Sequence, residues 1–204
     1  GTAGSSCLGC HTASGGPENC RLCQGNSDHS NPPKGLYGDT SVSNIGVSVH
    51  VAHINSTKYS AAFKCSDCHS FNGFSDPNHI GNNPDGIAEI VFGTLAHDTS
   101  GGIIPNPTWD RGTATCSNSY CHGSFKGGNT TGAGIWTDPN SVKCGTCHGD
   151  PGTGNPTPKI NGVITAPHFP FMTDKSCYIC HGSVINGQGK MVDKTKHING
   201  QIDY

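Results

Sequence analysis

Hydrophobic positions are sparse along this chain of 204 residues and seldom keep a period long enough to define an element. Val47 to Ile54 opens with apolar and polar residues alternating as in a strand, yet His50 and His53, three apart, suit a helical turn equally well. Periodicity leaves both readings open. The apolar run Ile87 to Ala96 is the strongest candidate for regular structure, whereas residues 25–49, rich in Gly, Pro, Asn and Ser, predict loop. The expected fold class is mostly irregular coil with a few short helices and little strand.

Composition explains the thin pattern. Hydrophobic residues make up 32% of the chain, and four leucines stand against 30 glycines. Ordering each residue costs roughly 1–2 kcal/mol in backbone entropy, and so few large apolar side chains cannot offset that. Another source of buried apolar surface is required.

The cysteines supply it. All twelve fall in pairs. Cys7-Leu8-Gly9-Cys10-His11, Cys65-Ser66-Asp67-Cys68-His69, Cys144-Gly145-Thr146-Cys147-His148 and Cys177-Tyr178-Ile179-Cys180-His181 share one spacing, and Cys116 to Cys121-His122 is a stretched copy. Two thiols followed directly by an imidazole attach c-type haem. The thiols add across the porphyrin vinyl groups, and one turn of chain brings the histidine beneath the iron as an axial ligand. Zinc or a disulfide could use a bare pair of cysteines, but neither explains a histidine after the second cysteine five times over. Each porphyrin that buries roughly 500 Å² of apolar surface adds on the order of 10 kcal/mol, so a haem stack is the expected core and haem-free chain is expected to be unfolded.

The sixth pair, Cys20-Arg21-Leu22-Cys23, has Gln24 where the histidine belongs. Asn31-Pro32 follows Cys20 at the same interval as Asn155-Pro156 follows Cys144, which places Gln24 in register with His148. The order histidine, haem site, histidine also recurs, with His53, Cys65 to His69 and His79 in one half and His168, Cys177 to His181 and His197 in the other. Two related haem-binding modules in tandem are expected, residues 1–98 and 110–204, joined by a linker at 99–109. A disulfide and a sixth haem both remain open for Cys20 and Cys23. Seven histidines lie outside the motifs: His29, His50, His53, His79, His97, His168 and His197. Five haems with two histidines each use five of them, and a sixth haem lacking a motif histidine uses the other two, His29 being the nearest substitute for Gln24. Met172 and Met191 are expected to serve packing. Trp109 and Trp136 precede Cys116 and Cys144 by seven and eight residues, placed either to rest on porphyrin or to anchor turns.

Charge narrows the function. A formal net charge of -2 without Lys/Arg clusters gives no electrostatic footprint for nucleic acid, and no apolar run is long enough to span a membrane. Haem attachment and disulfide formation both belong outside the cytoplasm, so an exported protein, extracellular or periplasmic, is expected. Gly1 to Gly4 carries no feature of a secretion signal, which implies that any such signal precedes this sequence.

The run Cys116-Ser117-Asn118-Ser119-Tyr120-Cys121-His122-Gly123, the later Trp136 and Cys144 to Gly149 resemble the multihaem c-type cytochromes with Cys-x4-Cys-His and Cys-x2-Cys-His sites of metal-reducing bacteria. The resemblance implies haem c as cofactor, and similarity to small extracellular cytochromes that polymerise implies copies of the same chain as partners, with a histidine of one subunit ligating a haem of its neighbour. Gln24 departs from that pattern. Bis-histidine ligation leaves no iron position open for substrate, so the expected role is electron transport, to other redox proteins or extracellular acceptors, by a conducting filament subunit rather than an enzyme. A monomeric periplasmic shuttle is the alternative. An oxyanion reductase at the Cys20 slot is a third reading, supported by its unusual motif and Arg21.

Overall fold

The computed structural model describes residues 34–35, 39–56, 58–70, 87–160 and 162–204. The site at Cys7 to His11, the pair Cys20 and Cys23, His29 and His79 lie outside the described residues. The elements are short throughout: helices at His50–Ile54, Cys144–His148 and Tyr178–His181, and single 3-10 turns at Cys65–Asp67, Thr94–His97, Ser100–Gly102, Tyr120–His122 and Lys194–Lys196. β1 (Thr108–Asp110), β2 (Thr115–Ser117) and β3 (Ala133–Ile135) form an antiparallel sheet in that order, with Trp109 opposite Cys116 and Cys116 opposite Gly134. β4 (Lys159–Ile160) and β5 (Val163–Ile164) pair as a minimal hairpin. The rest is coil, as the sparse hydrophobic pattern predicts.

Val47 to Ile54 resolves in favour of the helix, beginning at His50. The Ile87 to Ala96 run does not form an element of its own length. Only its end enters the turn Thr94–His97. Its main chain is engaged elsewhere: Val91 N donates to Cys68 O at 2.9 Å and Gly93 N to Asp67 O at 2.9 Å, so the segment lies as an extended strap along the Cys65 motif.

Contacts join residues far apart in sequence. Phe63 N donates to His53 O, Ala61 N to Lys194 O, and the Trp136 indole N–H to Ile45 O at 2.9 Å. The apolar core among the described residues comprises Val47, Val49, Ala96, Ala114, Tyr120, Val184 and Ile185, and no large side chain is fully buried. Side chains alone do not fill this fold.

Candidate haem sites

The described motifs build the same local device in slightly different ways. At Cys65 and at Cys177 the motif histidine N–H donates to the carbonyl of the first cysteine four residues back, His69 to Cys65 at 2.9 Å and His181 to Cys177 at 2.8 Å. One helical turn thereby puts both cysteines and the imidazole on one side of the chain. Cys144–His148 is a full helical turn. The stretched copy works differently, because Cys116 lies on β2 while Cys121 and His122 lie on a 3-10 turn. Asn118, at φ 56°, reverses the chain between them. The two extra residues are what a strand-to-turn transition needs.

Adjacent motifs are clamped together. Asn129 N donates to Cys147 O at 2.7 Å, and its side-chain amide donates to Thr146 O at 3.2 Å. Gly123, at φ 112°, passes so close to Asn129 and Cys147 that a Cβ would come within 3.0 Å of the Cys147 carbonyl oxygen. Electrostatic reach follows the same order, since the Cys121 thiol senses both Cys68 and Cys147, and the Cys177 thiol senses Cys144. The described motifs therefore neighbour one another in chain order.

The eight described cysteines form no disulfide with one another, and no group of three or more metal-ligating side chains converges among the described residues. Burial pushes the Cys68 thiol up to about 11 and those of Cys116, Cys121 and Cys147 up to about 12. Surroundings that disfavour a charged sulfur suit the finished thioether, which is uncharged.

The histidines carry the decisive geometry. An imidazole bound on each side of one iron, with bonds of about 2 Å, places the two ring centres about 6 Å apart. The rings of His50 and His69 are 6.3 Å apart, those of His53 and His122 6.3 Å, and those of His148 and His197 5.9 Å. Each pair joins one motif histidine to one histidine from the set outside the motifs. These separations lie within the range of ordinary ring contacts, and they also equal the span of two axial bonds.

Tautomers point the same way. The Nδ1 atoms of His50, His53, His69, His168, His181 and His197 lie 2.6–2.9 Å from the carbonyl oxygens of Val47, Val49, Glu89, Thr165, Asp203 and Tyr59. A carbonyl can only accept, so each Nδ1 carries the proton and Nε2 keeps the lone pair a metal needs. His122 differs: its Nδ1 is buried without a partner, and its ring lies against β3, where a Cβ on Gly134 would come within 3.0 Å of Nδ1. Burial holds His50, His122 and His148 down at about 4, so they are neutral at physiological pH.

His97 and His168 are not brought against a motif histidine among the described residues, although His168 lies in the surroundings of His148. His181 stacks on Tyr204 at 5.3 Å instead. Trp136 rests on histidines: its indole meets His50 edge-on at 4.6 Å and His53 at 5.3 Å. Trp109 meets Trp136 at 6.4 Å. Sequence reasoning listed the ligand candidates but could not find the carbonyls of Glu89, Tyr59 and Asp203, because a main-chain acceptor leaves no signature in residue type.

No curated protein and no solved structure matches this chain. A family model described as the Geobacter CxxxxCH...CXXCH motif matches residues 115–148, the stretch that holds the Cys116 and Cys144 sites. No helix among the described residues is long and apolar enough to cross a membrane. The thiols, the imidazoles and this match together mark the chain as similar to multihaem c-type cytochromes, with covalently bound haem c and an electron-transfer role outside the cytoplasm.

Proposed function

We propose that the chain conducts electrons through closely spaced bis-histidine haems in extracellular electron transfer, as a subunit of a filament. The observation that carries this reading is the set of three histidine pairs at two-bond spacing. On this reading His69 and His50 serve the site at Cys65 and Cys68, His122 and His53 the site at Cys116 and Cys121, and His148 and His197 the site at Cys144 and Cys147. His181 serves the site at Cys177 and Cys180. By motif, Cys7, Cys10 and His11 are a further site and Cys20 and Cys23 a sixth slot, with His29, His79, His97 and His168 as the remaining ligand candidates.

Bound haem supplies a one-electron couple. The residues do the rest. Paired thiols would tether each ring, two neutral imidazoles would hold each iron, and Nδ1 hydrogen bonds fix imidazole orientation. Contiguous motifs keep transfer distances short. Phe169 and Phe171, stacked at 5.7 Å and exposed near the Cys177 motif together with Ile179, give that end an apolar face suited to a second copy of the chain.

The holoprotein tests this in three measurements. Its intact mass gives the haem count, with five or six expected. Its ferric spectrum should be low-spin throughout, and electron microscopy should show filaments. Monomeric elution at high concentration would favour the shuttle, and nitrite or carbon monoxide binding by the reduced protein would favour the reductase.

A further inference from the structure

We infer that Trp136 is a positioning residue shared by two haem irons, holding the distal imidazoles His50 and His53 that stand one helical turn apart. This rests on the ligand pairs proposed above. A helix of five residues has little stability of its own, and His50–Ile54 has no side-chain cap. Its histidines are anchored from within and from outside. Within, each Nδ1 bonds to a carbonyl of the preceding turn, Val47 or Val49. Outside, the Trp136 indole touches both rings, edge-on to His50 with an interplanar angle of 84° and tilted by 44° to His53.

The indole is itself held at several points. Its Nε1–H donates to Ile45 O at 2.9 Å, its main-chain N–H to Ala114 O at 2.7 Å, and its carbonyl accepts from the Ser48 hydroxyl. Ile45 and Ser48 belong to the turn that leads into the helix, so the indole grips the helix from the start of that turn to its second histidine. Trp109 backs it from the sheet.

Two consequences follow. The two imidazoles face different motif histidines, His69 for His50 and His122 for His53. On this reading one helical turn would supply ligands to two neighbouring irons, since side chains three apart on a helix leave it as neighbours. In addition, the rotation of both imidazoles about their iron bonds answers to one side chain. The His148 and His197 pair has a different neighbour, Phe125 at 5.2 Å from His148.

Ferric low-spin haems report imidazole orientation in their electron paramagnetic resonance spectra, which makes the inference testable on holoprotein. Trp136→Leu should shift the signals of two haems, weaken their mutual spin coupling and leave the others in place. Trp136→Phe should give a smaller shift of the same two. Phe125→Leu should move a different haem. His50→Met and His53→Met should each convert a single haem, and not the same one. The inference is overturned if Trp136→Leu alters no haem signal, a single haem, or all haems equally. It is equally overturned if the two methionine variants alter the same haem. Should Trp136→Leu not retain its haems, Trp136→Phe decides: a shift confined to the same two haem signals upholds the inference, and no shift or an equal shift of all overturns it. Wild-type protein without haem by intact mass, or with high-spin iron at these sites, would instead refute the functional reading beneath it.

Discussion

Gly145 lies inside the Cys144 motif, at the position where the other two described Cys-x2-Cys-His motifs carry Ser66 and Tyr178, and its lack of a side chain is a local necessity. It is buried, and the loop after His148 folds back over it. A Cβ there would collide with the Gly154 carbonyl carbon and lie 2.6 Å from Asp150 O and 2.7 Å from Gly154 Cα, all main-chain atoms. In Gly145→Ala the loop must retreat by roughly 1 Å to restore ordinary carbon contact. Two hydrogen bonds close that loop, Gly154 N to Asp150 O and Asp150 N to Asn155 O, both 2.8 Å. Losing them costs about 1 kcal/mol each, and overpacking adds about 1–3 kcal/mol. Alanine recovers up to about 1 kcal/mol over glycine in a helix. The net loss is about 2–4 kcal/mol, or a fall in Tm of about 5–15 °C for a chain of this size. Thermal unfolding of the holoprotein, followed in the Soret band, measures it, and Gly152→Ala is the control. At Gly152 a Cβ would meet only the Asp150 carboxylate oxygen at 3.3 Å, so about 0.5 kcal/mol or less is expected. A Gly145→Ala protein that melts within about 2 °C of wild type would refute the steric account.

Other outcomes follow from burial and hydrogen bonding. Tyr120→Phe removes the hydroxyl that accepts from Gly200 N at 3.0 Å, and should cost about 1 kcal/mol and speed hydrogen exchange at the Gly200 amide. Haem-free chain should show no cooperative thermal transition, because no large side chain among the described residues is fully buried; a sharp calorimetric peak would contradict this. On the proposed ligation, acid should destabilise the holoprotein through His50, His122 and His148, because an imidazole nitrogen held on iron takes no proton whereas the same histidine in the unfolded chain, with an ordinary value of about 6.5, does. Below about pH 6.5 the unfolded chain therefore binds protons that the folded chain refuses, and stability falls as pH drops. The urea midpoint should stay level from pH 7 to 8 and decline below 6.5, and a level profile down to pH 4.5 would count against it.

The sequence made the covalent chemistry plain because cysteine and histidine spacing is the chemistry. It also made plain that coil would dominate, since too few apolar residues exist to sustain longer elements. It did not separate strand from helix at Val47 to Ile54, because five helical residues are too few to establish a period, and the deciding interactions are main-chain carbonyls and a tryptophan more than eighty residues away. The Ile87 to Ala96 run misleads for a related reason: the amides of Val91 and Gly93 bond to the Cys65 motif, and the run turns back on itself at its end, where Ala96 N donates to Gly93 O. The sheet formed by β1, β2 and β3 left only a faint trace, three-residue strands whose pairing sets Trp109 beside Cys116. The ligand pairs were beyond sequence altogether. Counting gave seven histidines for the open positions, but only the fold shows that neighbours three apart, His50 and His53, face different motifs.

Six imidazoles are oriented by peptide oxygens, and not one of these six by a carboxylate. A carboxylate behind an iron ligand takes up a proton as the medium acidifies, and the donor strength of the ligand changes with it. A peptide oxygen has nothing to titrate. Around these sites the backing of each imidazole is thus the same in acidic and in neutral medium, and a driving force set at one haem relative to the next is not altered by protonation behind the ligands. For an electron carrier, that would separate the energetics of transfer from the acidity of its surroundings.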